Sequence, residues 1–300
     1  MVYVTSQIIQ NAHEDGIWKV CWISKANMIV TGSADETIKV WDDNTLETIT
    51  TLKGHQLGIV SLAKNQSDTE LCSTSLDSQI KVWDFSENPP KLKSEIDVDP
   101  IEAWAITYQN DGKHLLSTSQ CGNINIWDLE SGKKEQTIEN QGKFAMSIAI
   151  SPDGKYIASG SENGTLYLFD NESKKLVHTF SNHSMAIRAV CFSPDSRYVV
   201  SGSDDKKINV YEVQHGNIVS TLYGHTSWVL SLDFSPDGIH LASGSSDKRI
   251  KIWDINTKEC IHTFDSHTEQ VWGVAYNKDG SKLVSISEDK SIALHTTSDN

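Results

Sequence analysis

Histidine, serine and aspartate recur along this 300-residue chain in a fixed order. Together they are the side chains of a nucleophilic triad, in which a His deprotonates a Ser hydroxyl and an Asp orients the ring. Their spacing decides between catalysis and construction. His precedes Asp by 22 residues five times, at His13/Asp35, His55/Asp77, His183/Asp205, His225/Asp247 and His267/Asp289, with hydroxyls between them at Thr31, Ser73, Ser201 and Ser243. A reaction needs its nucleophile once, so five copies in register point to hydrogen bonds inside a repeated unit, and no residue is assigned as catalytic. The chain has no P-loop, HExxH, GxSxG elbow or EF-hand loop, and His114, His178, His215, His240 and His262 have no metal-ligand spacing. The expectation is a protein that is not an enzyme, with no cofactor and no metal implied.

What repeats is longer than the triad. The segments SGSADETIKVWD, STSLDSQIKVWD, STSQCGNINIWD, SGSENGTLYLFD, SGSDDKKINVYE, SGSSDKRIKIWD and SISEDKSIALHT are seven copies of one motif. Their aromatic position falls at Trp41, Trp83, Trp127, Phe169, Tyr211, Trp253 and His295, with spacings of 42, 44, 42, 42, 42 and 42. Within each copy, apolar and polar residues alternate with a period of two, as at Ile38 and Val40 or Ile250 and Ile252, which predicts half-buried strands. SPDG at 151–154 and 235–238 reads as a hairpin turn, and no amphipathic helix of useful length is present. The two extra residues of the third period fall around Pro89-Pro90, where a loop absorbs them because proline cannot donate to a central ladder.

Gly-His early in a 42-residue period (Gly54-His55, Gly224-His225, with looser Ala12-His13, Asn182-His183 and Ser266-His267) and Trp-Asp late (41/42, 83/84, 127/128, 253/254) resemble the WD40 family. The resemblance implies an all-β fold: a seven-bladed WD40 β-propeller occupying residues 1–300 as a single domain. Only five residues follow His295, so the N-terminal strand, residues 3–10, is expected to complete and close the last blade. In that family the loop His donates to the turn Asp, and the network runs on through a strand Ser or Thr to the Trp indole. Blade three has Asp99 and Cys121 where His and Asp would stand, and blade four has Gln141 and Asn163, so both are expected to lean on apolar packing and to be softer. Blade seven keeps His267 and Asp289 but has His295 for Trp.

The repeat accounts for Trp41, Trp83, Trp127 and Trp253, and Trp22 aligns with the core positions Phe192, Phe234 and Tyr276, which leaves Trp18, Trp104, Trp228 and Trp272. By resemblance to the family, three positions of each repeat face the top of the propeller. The first reads Gly16, Gly58, Glu102, Phe144, Ala186, Trp228, Gln270; the second Trp18, Val60, Trp104, Met146, Arg188, Leu230, Trp272; the third Ala34, Leu76, Gln120, Glu162, Asp204, Ser246, Glu288. All four leftover tryptophans therefore share one rim with Phe144, Met146, Leu76, Val60 and Leu230. Such a patch marks a partner surface in which aromatic anchors dominate. Glu102, Glu162, Asp204 and Glu288 around it would match a partner's Arg or Lys, and Arg188 would add a polar contact.

Twenty-six basic against 40 acidic residues leave a net charge of −14, which opposes direct binding of nucleic acid or anionic lipid. No apolar run approaches the roughly 18 residues of a spanning helix, and MVYVTSQIIQ has no secretory pattern, so no membrane association is expected. Five cysteines, never in CxxC spacing, fit reduced thiols in cytoplasm and nucleus. Two functions use the rim: a scaffold holding a peptide segment of a larger complex, or a reader of methylated lysine in histone tails, where aromatic rings cage a methylammonium. HEDGIWKVCW, GKFAMSIAISPDGKYIASG and HTEQVWGVAYNKDGSKLVS, among other segments, are similar to the WD40 subunit of the superkiller (Ski) complex of animals. That resemblance implies a monomeric propeller within a hetero-complex. Its partners would be a tetratricopeptide-repeat scaffold subunit and, through it, an RNA helicase of mRNA decay, with subunits of the polymerase-associated factor complex in transcription elongation. It also implies that a segment with a Gln-Arg pair and a hydrophobic anchor lies on the top face.

Overall fold

The computed structural model describes residues 2–140 and 143–298, and these form seven four-stranded antiparallel sheets. Each repeat gives one sheet because its apolar residues alternate and its strands end in two-residue or Asx-type turns. Blade one runs through Ile17–Ile23, Met28–Ser33, Ile38–Asp42 and Thr48–Leu52 in hairpin succession, and blades two to six repeat that order. The first strands of successive blades touch in a closed ring, with blade seven against blade one. They line a central channel of about 820 Å³, whose far end is framed by the turn prolines Pro152, Pro194 and Pro236.

The repeated aromatic is the joint between blades. Trp83 packs in the core of blade one, Trp127 in that of blade two, Phe169 against blade three, Tyr211 against blade four and Trp253 against blade five. Trp41 closes the circle by packing with Val284, Ile292 and Leu294 of blade seven. A ring that only its neighbours can bury forces the blades to fold as one body, since each blade alone would leave its largest apolar group in water.

Blade seven is completed as expected. Val2–Ile9 pairs antiparallel with Ile292–Ser298 and supplies the outermost strand, so the two ends of the ring are held by one ladder. The two extra residues of the third period lie in the turn between Gln79–Asp84 and Lys91–Asp97 of blade two. Blade three differs in another way. Its first strand is only Ile106–Tyr108, half the length found elsewhere, and the chain before it runs as irregular turn.

Candidate protein-binding face

The hydrogen-bond network sits at the end of the propeller where each loop His meets a turn Asp. In blade one, Asp35 accepts from His13 Nδ1 (2.9 Å), which leaves Nε2 to accept the Thr31 hydroxyl (2.8 Å), and Thr31 Oγ1 accepts the Trp41 indole N–H (2.8 Å). Blades two and six repeat the chain at 2.7 to 2.9 Å through His55, Ser73 and Trp83, and through His225, Ser243 and Trp253. Every donor is matched to an acceptor only if the imidazole is neutral. Burial accordingly lowers the pKa of His13, His55 and His183 against the pull of their aspartates. Burial works against the Asp247 charge, but His225 and the amides of Thr226 and Arg249 outweigh it and bring the carboxyl down to about 2. The hydroxyls of Thr31, Ser73 and Ser243 are thus spent as links between ring and indole.

The blades that depart from the pattern show what substitutes. In blade three the Trp127 indole still donates to Ser117 (2.9 Å), but Ser117 donates to the carbonyl of Glu102 (2.7 Å) where a His nitrogen stands elsewhere. In blade four Ser159 is fully buried with no partner among the described residues, Phe169 has no N–H to offer, and Asn163 caps its own turn through the amide of Thr165 (3.0 Å); Gln141 lies outside the described residues. In blade seven His267 Nδ1 donates to Ser291 (2.8 Å), and Asp289 is reached through that hydroxyl, with its own oxygen 3.4 Å from the ring. His267 Nε2 accepts Ser285, Ser285 accepts His295 Nε2–H (2.9 Å), and His295 Nδ1 accepts the hydroxyl of Thr5 (3.0 Å) from the closing strand. Burial beside His267 and His262 pushes His295 down to about 3, so the ring stays neutral and can play both parts.

The same end carries the rim. The amide of the third position donates to the carbonyl of the first in six blades, as Ala34 to Gly16 (2.9 Å) and Ser246 to Trp228 (2.9 Å). Blade three is the exception: Gln120 donates to Ile101 (3.0 Å), so Glu102, aligned there by sequence, lies one place further on. Trp104 and Phe144 meet edge to face at 5.3 Å. Trp104 also borders a cleft of about 60 Å³ with Leu76, Val98, Pro100 and Ile101. Trp228 is 39% exposed and carries the Arg188 guanidinium 5.0 Å from its ring centre. Trp18 and Trp272 are tied down, both donating indole N–H groups to Glu288 (3.1 and 2.8 Å). The Trp18 ring lies so close over Gly58 that a Cβ there would sit 2.8 Å from it.

Several expected contacts are committed elsewhere. Asp204 is buried and bound by Arg188 through two bonds (2.7 and 2.9 Å), so the pair neutralises itself. Glu102 holds Lys134 (2.9 Å), and Glu288 holds two indoles, which leaves Glu162, exposed and without a side-chain partner among the described residues. Val60 and Leu230 are buried beneath the rim, and Met146 lines the channel mouth with Leu230 and Arg188. Leu57, Ile101 and Met185, each 40 to 47% exposed, join the face without having been singled out. Their signal was one column of the repeat (Asp15, Leu57, Ile101, Lys143, Met185, Ser227, Glu269), in which apolar residues replace polar ones three times. Ile101 holds this place with a φ of 59°, costly for a β-branched residue.

Comparison with known proteins meets the same repeat. Residues 103–263, more than half of the chain, match the family described as echinoderm microtubule-associated protein second beta-propeller. Residues 5–42, 46–84 and 258–295 match the WD domain, G-beta repeat. The chain is 36% identical over 154 residues to WD repeat-containing protein SL1-17 of Schistosoma mansoni (49% of this chain, 50% of that protein). It is 35% identical over 135 residues to WD repeat-containing protein VIP3 of Arabidopsis thaliana (43% and 41%), and 36% identical over 115 residues to Superkiller complex protein 8 of Dictyostelium discoideum (37% and 37%). The matched part of the chain spans half or less of the length of these relatives. Since the unit these matches find is the unit that the His, Ser and Trp hydrogen bonds build, the chain belongs to the WD40-repeat β-propeller family of protein-interaction scaffolds.

Proposed function

We propose that this propeller is a non-catalytic assembly subunit whose rim holds a partner segment, within a superkiller-type mRNA decay complex and in a transcription elongation complex. The direct partner in decay is a tetratricopeptide-repeat scaffold subunit, with the RNA helicase reached through it, and the protein works in both cytoplasm and nucleus. The observation that carries this reading is the half-exposed aromatic and aliphatic arc of Leu57, Leu76, Ile101, Trp104, Phe144 and Trp228 on a face where Glu102, Asp204 and Glu288 are already paired. A surface that is desolvated cheaply and offers rigid rings suits an apolar anchor from a partner. Glu162 remains to meet an arginine beside that anchor. The likeness to Superkiller complex protein 8 of Dictyostelium discoideum supports the decay role.

The methyl-lysine reading is less well served. A cage needs ring faces around a free carboxylate, whereas Glu288 is occupied by the edges of Trp18 and Trp272, Glu102 by Lys134, and the Phe144 ring beside Glu162 is met edge to face by Trp104. Affinity purification of wild type and Trp228→Ala from cells, read by mass spectrometry, tests the proposal. Capture of a tetratricopeptide-repeat subunit by wild type and its loss in the variant supports it. Preferential retention of trimethylated over unmodified histone peptides by the purified propeller would favour the other reading.

A further inference from the structure

Blade three gathers a group of side chains that the rim does not use. His114 stands opposite Asp128 in the ladder of the second and third strands, and Glu135 occupies the bulge of the fourth strand, so all three project on one side of the blade. Their ligand atoms lie within 4.8 Å of one another, and among the described residues they are the one such group of three His, Cys, Asp or Glu. His114 Nε2 is 3.1 Å from Glu135 Oε2 and 4.0 Å from Asp128 Oδ2, while Nδ1 donates to Asp111 Oδ2 at 2.6 Å. With that proton on Nδ1, Nε2 faces two carboxylates, a position that is filled either by a second proton on the ring or by a cation held between the ring and the carboxylates.

The other blades act as internal controls. The bulge residue is Ile49, Val177, Val219 and Ile261 in blades one, four, five and six, and Lys93 in blade two. There Lys93 Nζ pairs with Glu70, the residue that occupies the place of His114, and Asp84 stands where Asp128 does. Blade two thus fills this pocket with a covalently attached cation. Blade three puts a carboxylate in its place and surrounds the position with ligands.

We propose that His114, Asp128 and Glu135 bind a divalent transition-metal ion, Zn²⁺ in preference to Ca²⁺ or Mg²⁺ because one ligand is an imidazole. Tetrahedral zinc with ligands at about 2.1 Å places donor atoms about 3.4 Å apart, a spacing that the 3.1 and 4.0 Å separations straddle. Asp111 is the positioning residue: its hydrogen bond fixes the tautomer that leaves Nε2 free, as outer carboxylates do for ligating histidines. The side chains are 20 to 53% exposed, so a water completes the coordination. The ion would clamp the second, third and fourth strands of the blade that has the shortest first strand and has Asp99 and Cys121 in place of the loop His and turn Asp.

Calorimetric titration of the full chain with ZnCl₂, after chelator treatment, tests this. Wild type should take up one more equivalent than Glu135→Lys, the variant that copies blade two, and than His114→Gln; Asp111→Asn should weaken that site about 10- to 100-fold. Comparison with Glu135→Lys subtracts whatever the exposed thiols of Cys121 and Cys260 bind. Zinc should raise the Tm of wild type and leave that of Glu135→Lys unmoved, although the variant folds normally in chelator. Identical isotherms for wild type and Glu135→Lys, or no uptake by wild type, would overturn the proposal and leave the cluster a protonated His among carboxylates.

Discussion

Removing the same hydroxyl from two blades should move stability in opposite directions. Ser243 and Ser159 hold equivalent, fully buried places in blades six and four. In blade six, Ser243 accepts the Trp253 indole (2.8 Å) and donates to His225 Nε2 (2.7 Å), so Ser243→Ala strands one donor and one acceptor in a dry core. Each orphan costs about 1 to 3 kcal/mol; some relaxation between the two puts the loss at about 2 to 4 kcal/mol. In blade four, Ser159 has no partner among the described residues, so Ser159→Ala removes a buried polar group without stranding an indole or an imidazole and should gain up to about 1 kcal/mol. At about 2 °C per kcal/mol for a cooperative chain of this size, Tm should fall by about 4 to 8 °C in the first variant and hold or rise by about 2 °C in the second. Thermal melts and urea titrations of both against wild type give the answer, provided the urea m-value is unchanged. Equal losses in the two blades would refute the reasoning, because the cost would then follow the serine and not its partners.

Asp247→Ala should cost about 2 kcal/mol at pH 7, from a carboxyl held at about 2 against an ordinary 3.8, whereas Asn163→Ala should cost less, since Asn163 only caps its turn. A depressed carboxyl stabilises the fold above the unfolded value, so the gap between wild type and Asp247→Ala should close as pH falls from about 4 to 2 in urea melts. Thr5→Val should loosen the ring by about 1 to 2 kcal/mol by depriving His295 Nδ1 of its donor, read as a lower Tm with early loss of protection in Val2–Ile9 by hydrogen exchange. Trp228→Ala should weaken partner capture by about 2 to 4 kcal/mol with an almost unchanged Tm, while Trp18→Ala or Trp272→Ala should also lower Tm by taking a donor from Glu288; Lys174→Ala, on the outer side, should do neither. Ester, peptide and nucleotide substrates should not be turned over, and an activity lost in Ser243→Ala without unfolding would contradict the structural use of that serine.

The seven blades, their strands, the closing N-terminal strand and the five His and Asp pairs were legible in the sequence, because a period of 42 residues and an alternation of two are properties of the chain itself. Repetition also marked the His, hydroxyl and Trp positions as one hydrogen-bonded unit, and blades one, two and six carry those bonds. The rim was legible as a set of positions and not as a set of contacts. Asp204 and Glu102 read as free charges, yet Arg188 lies 16 residues before the first and Lys134 32 residues after the second, and only the packed sheet brings each pair together. Glu288 met Trp18 across the joint of blades seven and one, at a separation of 270 residues. His114, with no ligand pattern near it in sequence, found Asp128 and Glu135 through strand register, where one bulge decides which side of the blade a side chain takes. Periodicity fixes which residues face inward, because backbone geometry is local. Which charges are satisfied and which rings stay open to a partner is set by side chains from separate blades competing for the same few ångströms, and that competition exists only in the closed ring.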